Sequence, residues 1–146
     1  MTPTDWTIET VSFDEARAAI ESIRRQVFIE EQQVPETLEW DGLDEQATHL
    51  LARVGELPVA TARLLPDGHI GRMAVRQAWR KQGIGMALLE RLLDLARERA
   101  LPQVFLNAQL AALDFYARAG FHTTGSTFMD AGIPHKRMVL ELDQID

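Results

Sequence analysis

Hydrophobic and polar positions recur along this chain with two different periods, and the switches between them divide it into strands and helices. Trp6 to Val11 reads as a first strand. Ser12 then stands where a helix N-cap belongs, Glu15 completes a capping box, and Ile20, Ile23, Val27 and Phe28 supply the apolar stripe of a helix over Phe13 to Val27. Gln32 to Glu45 shows neither period, contains Pro35 and Gly42, and reads as a loop with room for one short helix, long enough to be functional. Thr48 to Val54 and Pro58 to Leu65 flank Gly55-Glu56-Leu57 as a hairpin, and Pro66-Asp67-Gly68 turns the chain into another strand, His69 to Val75. The strongest helical pattern covers Gly83 to Ala100, where Ile84, Leu88, Leu92, Leu95 and Ala96 share one face and Glu90, Asp94, Arg97 and Glu98 the other. Pro102 shuts it off. Val104 to Asn107 is a short strand, Leu110 to Ala119 a short helix ended by Gly120 at a left-handed C-cap, and Lys136 to Leu142 the final strand. This order of elements predicts an α/β (α+β) domain, a mixed sheet with helices on its faces.

The chain has 146 residues, 46% of them hydrophobic, enough for one domain to enclose a core. No repeat, low-complexity tract or Ser/Gly linker interrupts it, so a single domain over 1–146 is expected. The absence of cysteine removes disulfides, thiolate zinc sites and a cysteine nucleophile from consideration, leaving oxygen, nitrogen and backbone groups for any chemistry. Met1 to Trp6 lacks a basic start and an apolar run, and no apolar stretch approaches the length a bilayer requires, so the expectation is a soluble, cytoplasmic protein without a membrane partner.

A formal net charge of −7 disfavours nucleic acid as a partner, because such binding neutralises phosphates with Lys and Arg. The charge is also segregated. No Lys or Arg lies between Arg25 and Arg53, where Glu30, Glu31, Glu36, Glu39, Asp41, Asp44 and Glu45 all occur. From Gly68 to Leu89 the pattern inverts, with Arg72, Arg76, Arg80 and Lys81 and no carboxylate. The acidic block reads equally as a solvated face or as part of a site that brings a cationic substrate to an anionic cofactor.

The segment Ile70-Gly71-Arg72-Met73-Ala74-Val75 followed by Arg80-Lys81-Gln82-Gly83-Ile84-Gly85-Met86-Ala87 carries the clearest chemistry. A strand feeds through a short basic loop into a long helix, whose first amides have no intrahelical partners and lie at the positive end of its dipole. Gly83 and Gly85 lack side chains where a phosphate would touch the backbone, and Arg80 and Lys81 add positive charge. A tight turn made for packing is the plain alternative. The P-loop ending Gly-Lys-Ser/Thr is missing, and the dinucleotide fingerprint requires a parallel unit where this strand belongs to a meander.

With Arg80, Gly83 and Gly85 in the pattern R/Q-x-x-G-x-G/A, the chain resembles the GNAT superfamily of N-acyltransferases over nearly its whole length. Asn107 at the end of the next strand, and Phe115-Tyr116-Ala117-Arg118-Ala119-Gly120-Phe121 in the pattern F-Y-x-x-x-G-F, carry the likeness into the second half. Glu30-Glu31-Gln32 and Gly132-Ile133-Pro134-His135 resemble segments of an ElaA-like bacterial branch. The resemblance implies a mostly antiparallel GNAT sheet, acetyl-CoA as donor, an amine as acceptor and no metal. It implies that Met73, Ala74 and Val75 face the pantetheine arm, that Arg80, Lys81, Gln82, Gly83, Ile84, Gly85 and Met86 surround the pyrophosphate, and that Asn107 bonds the arm. Tyr116 occupies the general-acid position, a phenol able to serve the departing thiolate. For the acceptor amine the candidates are Glu30, Glu31, Asp130 and His135, histidine being the residue type that titrates nearest neutrality. His49, His69 and His122 receive no role. A homodimer is common in the superfamily. The rival from another class is a non-catalytic acyl-CoA-binding sensor or interaction module, which would not need Tyr116.

Overall fold

A computed structural model describes residues 6–142; residues 1–5, part of the stretch read above for a targeting signal, and 143–146 lie outside them. The first sheet has the order β1-β2-β3-β4, formed by β1 (Trp6–Val11), β2 (Thr48–Val54), β3 (Leu57–Leu64) and β4 (Ile70–Val75), every pair antiparallel. The second has the order β5-β7-β6, formed by β5 (Gln103–Gln109), β6 (His122–Asp130) and β7 (Ile133–Glu141), again antiparallel.

Alternation along β2 divides the core into two layers. Leu50 and Ala52 join Leu88 and Leu92 of α3 (Ile84–Glu98) on one face, while Leu51 joins Ile20 and Ile23 of α1 (Phe13–Arg24) on the other. The leucines and isoleucines at these contacts are fully buried, each stabilising the fold by about 1.5–3 kcal/mol, so the two helices hold the first sheet from opposite sides. Among the described residues no helix is long and apolar enough to cross a membrane.

The sheets meet at one parallel bridge between His69 and Phe105, where the Phe105 N–H donates to the Gly68 carbonyl at 3.0 Å. Glycine is required there: Gly68 has φ +96°, and a Cβ would stand 2.8 Å from the Gln103 carbonyl oxygen. Beyond this point β4 and β5 part, because β4 bends. Gly71 pairs with Arg63 and Ala74 with Thr61, so Arg72 and Met73 bulge opposite a single residue of β3. Arg72 takes φ +49°, a left-handed conformation that an arginine adopts only when its surroundings hold it there. The cleft between the strands is the frame of the site.

Several boundaries differ from the sequence expectation. The first helix leaves α geometry at Arg24 and runs on as a π-helical turn over Arg25–Glu31, in which Gln32 N–H donates to the Val27 carbonyl at 3.1 Å. The wider turn keeps Val27 in the core layer while passing Phe28 and Gln32 to the cleft. The expected helix over Leu110 to Ala119 is a 3-10 turn, Leu110–Ala112, followed by α4 (Leu113–Ala117), with α2 (Glu36–Glu39) as the short helix of the acidic loop. The last strand begins at Ile133, three residues early, because Ala131 and Gly132 at φ +52° and +76° form a tight hairpin with β6.

Candidate active site

The loop after β4 is shaped by two left-handed residues, Lys81 at φ +65° and Gly83 at φ +90°. Gly83 is the N-cap of α3 and no side chain caps that helix, so the amides of its first turn have no intrahelical partner and face outward at the positive end of the dipole. A cavity of about 610 Å³ opens against them. Met73, Ala74, Val75, Arg80, Lys81, Gly83, Ile84, Gly85 and Met86 all line it, joined by Trp79, Phe115, Tyr116 and Arg118. Gln82 does not; its Oε1 is buried without a hydrogen-bond partner. A Cβ at Gly85 would touch the Phe115 ring at 3.4 Å and Val75 Cγ2 at 3.8 Å, so glycine leaves this corner open. The cavity volume, the uncapped amides and the exposed side chains of Lys81 and Arg118 fit a long, diphosphate-bearing cofactor. Arg118 escaped the sequence reading although it lies inside the F-Y-x-x-x-G-F segment, because that pattern leaves its position unspecified.

Arg80 is fully engaged. Its Nε donates to the Val75 carbonyl at 2.8 Å, and its Nη1 and Nη2 donate to the two carboxylate oxygens of Glu31, each at 2.7 Å. That hydrogen bond holds the Glu31 carboxyl below the usual range. Glu31 and Arg80 therefore fasten the π-helical turn to the end of β4, and Glu31 is not a free carboxylate beside the acceptor. Glu30 is exposed and lines neither cavity of the cleft.

Tyr116 stands at the junction. Its ring packs edge-on against Phe115, centroids 5.0 Å apart, and against Phe121 at 6.0 Å. Gly120 at φ +103° ends the helix, and Phe121 N–H donates back to the Tyr116 carbonyl at 3.2 Å, bringing the buried Phe121 ring under the tyrosine. Burial pushes the phenol up to about 12, so it keeps its proton at neutral pH. Its hydroxyl has no hydrogen-bond partner among the described residues.

Tyr116 and Met73 also line a second, smaller cavity of about 220 Å³ on the other side of the cleft. Asn107, Asp130 and His135 border this one, together with Phe28, Leu38 and the Arg72–Glu39 pair. Asn107 thus faces the smaller cavity and not the cofactor loop. The acidic segment is part solvated and part paired: Glu30 and Glu45 are exposed, whereas Glu39, Asp41 and Asp44 turn to arginines. Glu39 and Asp44 both bind the fully buried Arg24, at 2.7 Å each; Asp41 and Asp44 bind Arg63 at 2.9 and 3.0 Å; and Arg72 lies 3.1 Å from Glu39 and 3.2 Å from Asp41. Burial is the largest influence on Glu39 and raises its carboxyl despite these arginines. For Asp41 burial also pushes upward, but the Arg63 hydrogen bond, the Leu43 N–H and the charges of Arg63 and Arg72 together outweigh it and bring the pKa to about 2. His49 is buried against the Asp44 carbonyl at 2.8 Å, a structural role. Among the described residues no three His, Asp or Glu side chains cluster to hold a metal ion.

A cleft between two parting parallel strands, with an uncapped helix N-terminus on one side, a polar pocket on the other and a protonated phenol between, has the form of a transferase site, with one wall for a diphosphate-bearing donor and one for an acceptor. The comparisons agree with that class. Residues 9–142 match the family model described as an acetyltransferase (GNAT) domain. The chain is 36% identical to the Bacillus subtilis (strain 168) protein YyaT, over 84% of this chain and 86% of YyaT. Among solved structures it is similar to an acyl-CoA N-acyltransferase from Pseudomonas aeruginosa (34% identity, TM-score 0.79, covering 92% of this chain and 97% of that one). Escherichia coli ElaA is another close likeness in shape (28% identity, TM-score 0.84, covering 92% and 99%). The chain belongs to the GNAT family of N-acetyltransferases.

Proposed function

We propose that this enzyme moves the acetyl group of acetyl-CoA directly to the primary amine of a small molecule or peptide, without a covalent enzyme intermediate. The observation that carries the reading is the meeting of the two cavities at Met73 and Tyr116: a donor lying along β4 and an acceptor in the smaller cavity reach one point, beside a phenol that keeps its proton. Positioning two reactants this way supplies much of an enzyme's rate, and the phenol serves the sulfur as the carbon–sulfur bond breaks. Preference for a cationic acceptor rests on Asp130 at the rim, since five carboxylates of the acidic segment, Glu31, Glu36, Glu39, Asp41 and Asp44, are paired with arginines.

The test is release of free thiol from acetyl-CoA against a panel of amines, polyamines and short peptides, with the acetylated product identified by mass. Amine-dependent thiol release is expected. Binding of acetyl-CoA without transfer to any amine would replace the reading with a sensor.

A further inference from the structure

The residue that takes the proton from the acceptor is not evident from charge, because two of the carboxylates nearest the cleft are occupied and the third, Asp130 on the wall of the smaller cavity, stands exposed at its rim. Glu31 is held at both oxygens by Arg80, and Glu39 is held by Arg24 and Arg72. Two histidines line the smaller cavity. His69 stacks on Phe105, centroids 4.8 Å apart, at the joined end of the cleft, and burial pushes its pKa down, which weakens it as a base.

His135 differs in how its ring is held. Its Nδ1 lies 2.7 Å from the Ile133 carbonyl oxygen. A carbonyl only accepts, so Nδ1 carries the hydrogen and, in the neutral ring, the lone pair is on Nε2. Nε2 has no protein partner among the described residues. The residue is 9% exposed, its ring stacked on Phe128 at 5.9 Å and 22°, and it is fixed in the strand opposite Gln109, on the wall that it shares with Tyr116 and Met73. A tight hairpin at Ala131 and Gly132 brings the Ile133 carbonyl back beneath the ring. One ring contact thus holds the imidazole and one hydrogen bond sets its tautomer, in the cavity where an amine would wait.

Resting on the reading that the enzyme acetylates an amine, we propose that His135 Nε2 is the proton acceptor that frees the amine for attack. The acceptor ammonium gives one proton to Nε2, and its nitrogen lone pair then forms the carbon–nitrogen bond to the thioester carbonyl. As the tetrahedral adduct collapses, the carbon–sulfur bond breaks and the sulfur takes the Tyr116 proton. The second proton of the nitrogen, released as the amide forms, restores the phenol. The imidazolium loses its proton to solvent, so each turnover releases one proton, one thiol and one amide. Imidazole is the side-chain type whose basicity suits this step near neutral pH.

The charged and titratable groups sharing the cavity are Asp130 of β6, Glu39 of α2, Arg72 of β4, His69 just before it and Tyr116 of α4, with Lys136 and Arg137 on the same strand as His135. The experiment is kcat/KM for the acceptor against pH in wild type and His135→Gln, with acetyl-CoA affinity measured by calorimetry. His135→Gln is expected to bind acetyl-CoA as wild type does and to lose about 10²-fold in kcat/KM at neutral pH. The deficit should narrow as pH rises and for less basic amines, which need no help in losing a proton, and added imidazole should restore part of the rate in His135→Ala. A loss of equal size at every pH and for every amine would overturn the proposal, as would an unchanged profile. Should the variants not fold, nitrogen NMR of the wild-type ring decides: hydrogen on Nδ1 supports the assignment and hydrogen on Nε2 overturns it. If wild type acetylates no amine, the proposed function fails first and this step with it, an outcome distinct from an active wild type whose rate ignores His135.

Discussion

Replacing Tyr116 by Phe removes a single oxygen, and the structure says what should and should not follow. The ring contacts with Phe115 at 5.0 Å and Phe121 at 6.0 Å do not involve the hydroxyl, which has no hydrogen-bond partner among the described residues. Stability should therefore stay within about 0.5 kcal/mol of wild type, and acetyl-CoA affinity should be unchanged. Catalysis should not survive so well. With the phenol pushed up to about 12, roughly one molecule in 10⁵ is ionised at neutral pH, so the proton is present when the thiolate departs. Losing that acid should lower kcat by about 10²-fold or more, which is about 2.7 kcal/mol in the barrier. Thiol release is the assay, under conditions where chemistry limits the rate, and the loss should shrink for a donor with a more acidic thiol. Because Tyr116 is the sole tyrosine of the chain, phenolate absorbance reports on it alone. Its midpoint should lie near 12 in the native protein and fall to about 10 in denaturant. A pKa raised on folding gives stability that is fully present below about pH 10 and is lost as pH rises from there through about 12, and Tyr116→Phe should abolish that alkaline slope. A Tyr116→Phe enzyme with wild-type kcat would refute the assignment and leave the tyrosine as a packing residue.

Three further outcomes are expected. Arg24→Met leaves Glu39 and Asp44 buried without their shared guanidinium, and urea unfolding should register a loss of about 3–5 kcal/mol. Asp41, held near 2, contributes stability that is fully present above its unfolded pKa and is lost as pH falls through about 2, reduced by the screening its exposed side allows, so Asp41→Asn should flatten the acid limb of a stability–pH curve. Glu31→Gln should raise KM for acetyl-CoA by up to about fivefold, the scale of an exposed ion pair, and leave the acceptor KM alone, as read by initial-rate kinetics in both substrates.

The features legible in the sequence are those written in neighbouring residues. Gly83 beside a basic loop and Tyr116 ahead of Gly120 each declare a local geometry, and the structure places both on the cleft wall or at its helix cap. The acid–arginine network was not legible because its members are paired at a distance: Arg24 with Asp44, Arg63 with Asp41, Arg72 with Glu39. Composition records such charges without saying whether they face water or one another. The bulge at Arg72 was hidden for a different reason, since a left-handed backbone is normally announced by glycine and here belongs to an arginine. β6 was equally silent; an edge strand exposed along nearly its whole length has no alternating pattern to reveal it.

These unread features decide the shape of the site. Arg24, Arg63 and Arg72 balance Glu39, Asp41 and Asp44 in charge, so the network adds rigidity without adding net field. The Arg72 guanidinium donates to the Leu38 and Glu39 carbonyls as well as to Asp41, contacts that offset its strained backbone and hold the bulge in β4. The bulge bends β4 away from β5, and that divergence creates the room in which the two cavities meet. The wall of the smaller one is then left, once Arg72 and Glu39 cancel, with Asp130 as its remaining formal charge. An ammonium approaching it meets one carboxylate at the rim and an imidazole further in. The same ion pairs that neutralise Glu39, Asp41 and Asp44 thus shape the place where an amine could be turned into a nucleophile.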